Sequence, residues 1–153
     1  MWGKKNGFDD SNIRWRTIEG IDHAWYHVLN VDLERKQVDT LFKFAAGQKV
    51  VLHRHHAAYS TFMIQGELRL YDQAGALTEI RPTGSYVARP AGGEPHMEGG
   101  GEIDCIGYFS NRDCGDVIYE ILGPDMSTVA TLGINEFKAF LDAQEQMAQP
   151  QIF

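Results

Sequence analysis

In the stretch VVLHRHH, residues 50–56, three imidazoles fall within four positions at the end of an apolar run. Side chains of an extended strand alternate faces, so His53 and His55 share one side while Arg54 and His56 share the other. Two imidazoles spaced ~7 Å along a strand can converge on one cation. Val51 lies on the histidine side, which marks it as the interior. There an imidazole pair needs hydrogen bonds or a metal ion to offset lost hydration. Taken alone, the pair also fits two solvated surface histidines. His56 is assigned outward, with Arg54. His23 and His27 are four apart, a spacing that suits a helical metal pair. They stand in DHAWYHVLN, a β-rich segment with no accompanying Glu, and are assigned to packing or surface.

The remaining histidine, His96, sits in RPAGGEPHMEGGGE, whose glycines and prolines predict a loop. A phosphate-cradling role is excluded, because no Gly-Lys-Ser/Thr and no helical pattern follow. Glu94 and Glu98 flank His96 and are read as solvated loop acids; the alternative is a carboxylate that joins a metal or orients an imidazole. Gln65, Arg69 and Arg89 are candidate polar groups of a pocket wall, Arg89 facing either a substrate carboxylate or Glu94. Phe62, Tyr108 and Phe109 are assigned to core or interface.

Short strands must position these groups. AWYHVLNVDL is rich in aromatic and β-branched residues and is followed by the turn ERKQ. In VDTLFKF, Val38, Thr40, Phe42 and Phe44 alternate with Asp39, Leu41 and Lys43, the period of a half-buried strand. Further short segments run on to VIYEIL, with Gly47, Gly66, Gly75, Gly84 and Gly115 between them. Such a series predicts an all-β barrel or sandwich, here from about Trp25 to Leu122. One exception follows: INEFKAFLDAQEQM carries Phe137, Phe140 and Leu141 at helical spacing, predicting a helix near Ile134 to Gln146 that Asn135 could cap.

The chain has 153 residues and a net charge of −7, consistent with one domain spanning 1–153. No Lys/Arg cluster offsets that charge, which argues against nucleic acid and for a small-molecule ligand. The polar start MWGKKNGFDD lacks the apolar core of a signal peptide, and no apolar run is long enough to span a bilayer. Cys105 and Cys114 have neither knuckle nor redox spacing, and are expected as free thiols in a cytoplasmic protein.

The combined spacing resembles the two motifs of the RmlC-like cupin superfamily. Gly47, His53, His55 and Gly66 keep the first motif's intervals, with Tyr59 where that motif has Glu. Gly84, Pro90 and Gly92 keep those of the second, with His96 one residue late and Gly100 in place of Asn. The resemblance implies a double-stranded β-helix (a jelly-roll barrel) with a metal inside and His53, His55 and His96 as ligands. Tyr59 would point at the metal, but a neutral phenol with a reference pKa of ~10 ligates poorly at pH 7. A three-histidine site is therefore expected, with Tyr59 as a substrate-contacting catalytic group. Fe(II) is the favoured ion, with zinc or nickel as alternatives. Within the cupins the site resembles acetylacetone dioxygenase and the layout resembles 2,4'-dihydroxyacetophenone dioxygenase, which implies C–C cleavage in a small β-diketone or hydroxyketone. A non-catalytic zinc sensor of the anti-sigma-factor type, another small-ligand binder, and a sugar isomerase or epimerase are the alternatives. A homodimer is the expected assembly.

Overall fold

Turn residues divide residues 24–132 into eleven strands. The computed structural model describes residues 7–147. Its elements are β1 (Ala24–Asp32), β2 (Gln37–Phe44), β3 (Val50–His55), β4 (Ala58–Gln65), β5 (Leu68–Tyr71), β6 (Leu77–Arg81), β7 (Tyr86–Arg89), β8 (Gly92–Gly100), β9 (Cys105–Arg112), β10 (Tyr119–Leu122) and β11 (Thr128–Leu132). One helix, α1 (Ile134–Glu145), follows. The strands form two antiparallel sheets, in the orders β1-β2-β9-β4-β7 and β11-β10-β3-β8-β5-β6, the jelly-roll arrangement expected. Beyond the expected strands, β11 lies past Leu122 and pairs with β10.

The sheets bury their facing sides against each other, as period-two patterning requires. On β2, Val38, Thr40 and Phe44 are buried; Leu41, on the other face, is buried as well. One apolar cluster, including Tyr26, Val28, Ile118 and Phe137, forms beneath α1; a second gathers Phe44, Val50, Met63, Leu68 and Phe109. Ahead of β1, the arm bridges to it at Arg16 and Tyr26. Lys43 faces the rings of Trp15 and Trp25 and pairs with Asp10.

The segment read as a loop around His96 is strand β8, and its glycines explain why. A Cβ on Gly99 would stand 1.7 Å from the Gln48 carbonyl oxygen, and one on Gly100 would stand 2.7 Å from that of Ile103. These residues are glycine because a neighbouring backbone passes against them, not because the chain turns there. The helix is capped two residues earlier than Asn135. Gly133 occupies the cap, and the Glu136 carboxylate accepts its N–H at 2.8 Å.

Near its C-terminal end, α1 is tied to β1 by one side chain. Gln144 is buried; its amide oxygen accepts the Val28 N–H at 3.0 Å and its amide nitrogen donates to the Val28 carbonyl at 2.8 Å. Removing both bonds leaves a buried donor and acceptor unmet. Gln144→Ala is expected to lower stability by about 1–3 kcal/mol, read from urea denaturation, with metal affinity unchanged.

Candidate metal centre

Three imidazoles and one carboxylate converge between the sheets. A ligand atom from each of His53, His55, His96 and Glu98 lies within 4.8 Å of the others. Strand β3 supplies His53 and His55, both buried on one face as alternation predicts. Strand β8 supplies His96 and Glu98, likewise two residues apart. His96 stands directly opposite His53 in the ladder. The late position of His96 is absorbed by irregular pairing: β3 advances from His53 to His55 while β8 runs from His96 back to Gly92. Gly92 and Gly93 have φ of +92° and +85°, which suits them to that irregularity. A spacing that departs from the motif in sequence thus keeps it in space.

The donors are held by specific partners. His53 Nδ1 lies 2.8 Å from the Val51 carbonyl oxygen, so that nitrogen carries the proton and Nε2 is free to ligate. His55 Nε2 and His96 Nε2 are 3.3 Å apart, and His96 Nε2 is 3.2 Å from Glu98 Oε1. His53 Nε2 reaches the same oxygen at 3.8 Å. The His55 ring is stacked on Tyr59, with centroids 3.9 Å apart and planes at 13°, and meets the edge of Tyr119 at 5.3 Å. Burial, reinforced for His55 by neighbouring positive charge, pushes both β3 imidazoles below the usual histidine pKa. Burial pulls Glu98 the other way, yet the His96 hydrogen bond and the surrounding imidazoles outweigh it and hold the carboxyl at about 2. A divalent cation needs neutral imidazoles and an ionised carboxylate, and the shifts of His53, His55 and Glu98 run in those directions. Four N/O donors in this arrangement suit zinc, iron or nickel chemically.

Two readings of the sequence are corrected. Glu98 is not a solvated loop acid: it is 3% exposed and sits in the donor cluster. The centre therefore offers three histidines and a carboxylate rather than three histidines alone. The sequence signal was the two-residue spacing His96-Met97-Glu98, which repeats that of His53 and His55 and was hidden by reading the segment as a loop. Glu94 is exposed. His56 faces outward and pairs with Glu120 at 2.9 Å. His23 is exposed, and His27 Nδ1 lies near the Arg14 carbonyl at 3.3 Å.

Tyr59 is buried beside the centre, and its hydroxyl is hydrogen-bonded by Arg81. Burial, then the Glu98 charge, raises its pKa against the opposing arginines, so it is a neutral phenol. Arg81 went unnoticed in the sequence, since nothing in the short strand LTEIR marks its arginine as interior. It is 2% exposed, bonded to Glu79 at 2.8 Å and to Thr61 at 3.2 Å. Of the three polar candidates for a pocket wall, Arg89 lines the cleft described next. Gln65 instead bonds the Asp104 carbonyl and Arg69 pairs with Glu67.

The centre divides two spaces. On the His55 and His96 side lies a cleft of about 470 Å³, lined also by Tyr59, Glu79, Arg81 and Arg89. On the His53 and Glu98 side lies a chamber of about 60 Å³, lined otherwise by apolar and aromatic residues, Phe42, Phe44 and Phe109 among them.

His55→Ala is expected to abolish most metal binding and His56→Ala to preserve it. Glu98→Gln should weaken zinc by at least the ~10–100-fold that losing an orienting partner costs, measured by competition with a chelating dye. The metal-free protein should also respond to pH. His53 and His55 titrate below 6.5 when folded, so below that pH the unfolded chain binds more protons and stability falls. Melting temperature of the apoprotein should therefore drop as pH goes from 7 towards 5, and replacing both histidines should flatten that slope.

The sequence matches the family of ChrR cupin-like domains over residues 4–112. No protein of curated function matches it. Its fold is similar to that of an RmlC-like cupin from Ralstonia eutropha JMP134, at 17% identity and TM-score 0.71, covering 94% of this chain and 90% of that one. It is similar to an acetylacetone dioxygenase from Acinetobacter johnsonii, at 14% identity and TM-score 0.68, covering 92% and 93%. The DMSP lyase DddQ from Ruegeria pomeroyi DSS-3 follows at 16% and 0.59, covering 76% and 64%. At these identities the likeness establishes the fold, whereas the family match covers most of the sequence: this chain belongs to the ChrR-like cupins.

Proposed function

We propose that this protein is an Fe(II)-dependent dioxygenase that cleaves a C–C bond in a small β-diketone or hydroxyketone. The observation that carries this reading is the 470 Å³ cleft opening on His55 and His96. A metal held only for structure has no need of so large a space beside two of its ligands. For a β-diketone the overall change balances as diketone plus O₂ giving a carboxylic acid and a 2-oxoaldehyde, both oxygen atoms being retained. Bound iron would supply Lewis acidity towards the enolate and the electrons that activate O₂. His53, His55, His96 and Glu98 would hold it.

The remaining steps belong to side chains. With Glu98 in the donor set, a divalent ion keeps one net positive charge, which a singly charged enolate neutralises. Tyr59 is a phenol that stays protonated, so it donates a hydrogen bond to a substrate oxygen rather than ligating. Its flat stacking on His55 and the Arg81 bond set the direction of that hydroxyl. Arg81 and Arg89 place positive charge in the cleft wall, against Glu79, Glu94 and Asp72 of the same wall. This polar lining differs from the apolar pocket that a diketone alone would predict, and it accommodates substrates carrying hydroxyl or carboxylate groups.

A second reading is favoured by the completeness of the donor set. Four protein ligands are what a closed structural zinc site uses, and a zinc-holding sensor module would need no turnover. Oxygen uptake separates the two. Iron-reconstituted protein should consume O₂ with members of a panel of β-diketones and aryl hydroxyketones. Tyr59→Phe should slow turnover by ~10²-fold or more with iron content unchanged. Absence of uptake across the panel, from protein verified to hold Fe(II), would leave the zinc-module reading.

A further inference from the structure

We infer that the chamber behind His53 and Glu98 is a dry binding site for a small uncharged apolar molecule of dioxygen size, separate from the polar cleft. Its volume, about 60 Å³, is several times the ~10–15 Å³ that admits one water. Size therefore does not exclude water, but the lining disfavours it. A buried water needs two to four polar partners, and the wall offers few: the Glu98 carboxylate, His53 and the Tyr119 hydroxyl. Eleven of its thirteen lining residues are apolar or aromatic. The one hydroxyl among them, on Tyr119, accepts a bond from Asn111 at 3.0 Å. His53 Nδ1 is committed to the Val51 carbonyl at 2.8 Å. His53 Nε2 and Glu98 Oε1 face the donor cluster, 3.8 Å from each other. A cavity so largely apolar favours a polarizable guest over water.

The walls come from elements far apart in sequence. Ile18 and Ile21, in the turn before β1, and Ala24 form one side; Ile121, Leu132 and Phe137 face them. The chamber reaches the donor cluster through His53 and Glu98, whereas the cleft reaches it through His55 and His96. A small apolar molecule and a polar substrate would thus approach one ion from different sides without sharing a path. Occupancy by an apolar guest depends only on this lining; its use for dioxygen rests on the oxygenase reading above.

Xenon is the probe, applied to the full chain in metal-free and zinc-loaded forms. Crystals pressurised with xenon should show one bound atom in the chamber in both forms. In solution, methyl resonances of Ile18, Ile21, Val51, Ile121 and Leu132 should shift with xenon while those elsewhere do not. Ala24→Leu, which extends a side chain into the space, should remove the xenon signal at unaltered zinc affinity; Leu132→Phe does the same from the opposite wall if the first variant fails to fold. Ordered waters filling the chamber, no xenon in the unsubstituted protein, or equal occupancy in a folded filled variant would overturn the inference. Xenon in the chamber of a protein that consumes no O₂ would retain the site and remove the oxygenase reading; oxygen uptake with no xenon bound would do the reverse.

Discussion

A carboxylate buried against three imidazoles is the constraint on which the rest of this structure turns. Removing an ionised group from water costs several kcal/mol even after relaxation, and Glu98 is nearly inaccessible. Two things can offset that cost here: protons on the neighbouring imidazoles, or a cation between them. The first is opposed by the same burial, which drives His53 and His55 towards the neutral form. The cluster is therefore suited to a metal ion. Everything that holds the four donors in place must resist their tendency to separate when no ion is present.

That resistance comes from the sheets. The ladder between β3 and β8 sets His53 against His96, and the glycines at 99 and 100 let β8 close against the backbone before β3. A Cβ at either position would push β8 outwards next to Glu98. Tyr119 and Tyr59 bracket the His55 ring, so its rotation is limited by packing. The polar residues of the site are positioned by apolar contacts on both sides, an arrangement that converts core packing into ligand geometry.

Much of this was legible in the sequence. Alternation predicts the shared face of His53 and His55 and the outward His56, because a strand leaves a side chain only two directions. The amphipathic spacing of Phe137, Phe140 and Leu141 predicts α1. Other features were hidden for identifiable reasons. Glycine marks turns and close approaches alike, and without the neighbouring backbone the run GGG cannot be told from a loop. Arg81 carries no sign of burial in its sequence context, and only its pairing with Glu79 and Thr61 shows it to be interior. Glu98 was obscured by the first error, since a residue thought to lie in a loop has no defined face.

The strand that carries the acid gives the centre its sidedness. The first motif's acid position lies on β4, and here Tyr59 holds it, beside the cleft. The carboxylate stands instead on β8, where Glu98 borders the apolar chamber. An acid on β4 would set its charge next to Arg81, which would draw it away from an ion. Placed on β8, the carboxylate has no arginine among the residues of its chamber wall and lies within 3.2 Å of His96 Nε2 and 3.8 Å of His53 Nε2. Arg81 is then left to Glu79, Thr61 and the Tyr59 hydroxyl. The cleft side of the centre gains a hydrogen-bond donor that does not compete for coordination, and the carboxylate stands on the chamber side. With the carboxylate on β8 and not on β4, the two arginines lie on the cleft side and most of the apolar and aromatic side chains on the chamber side.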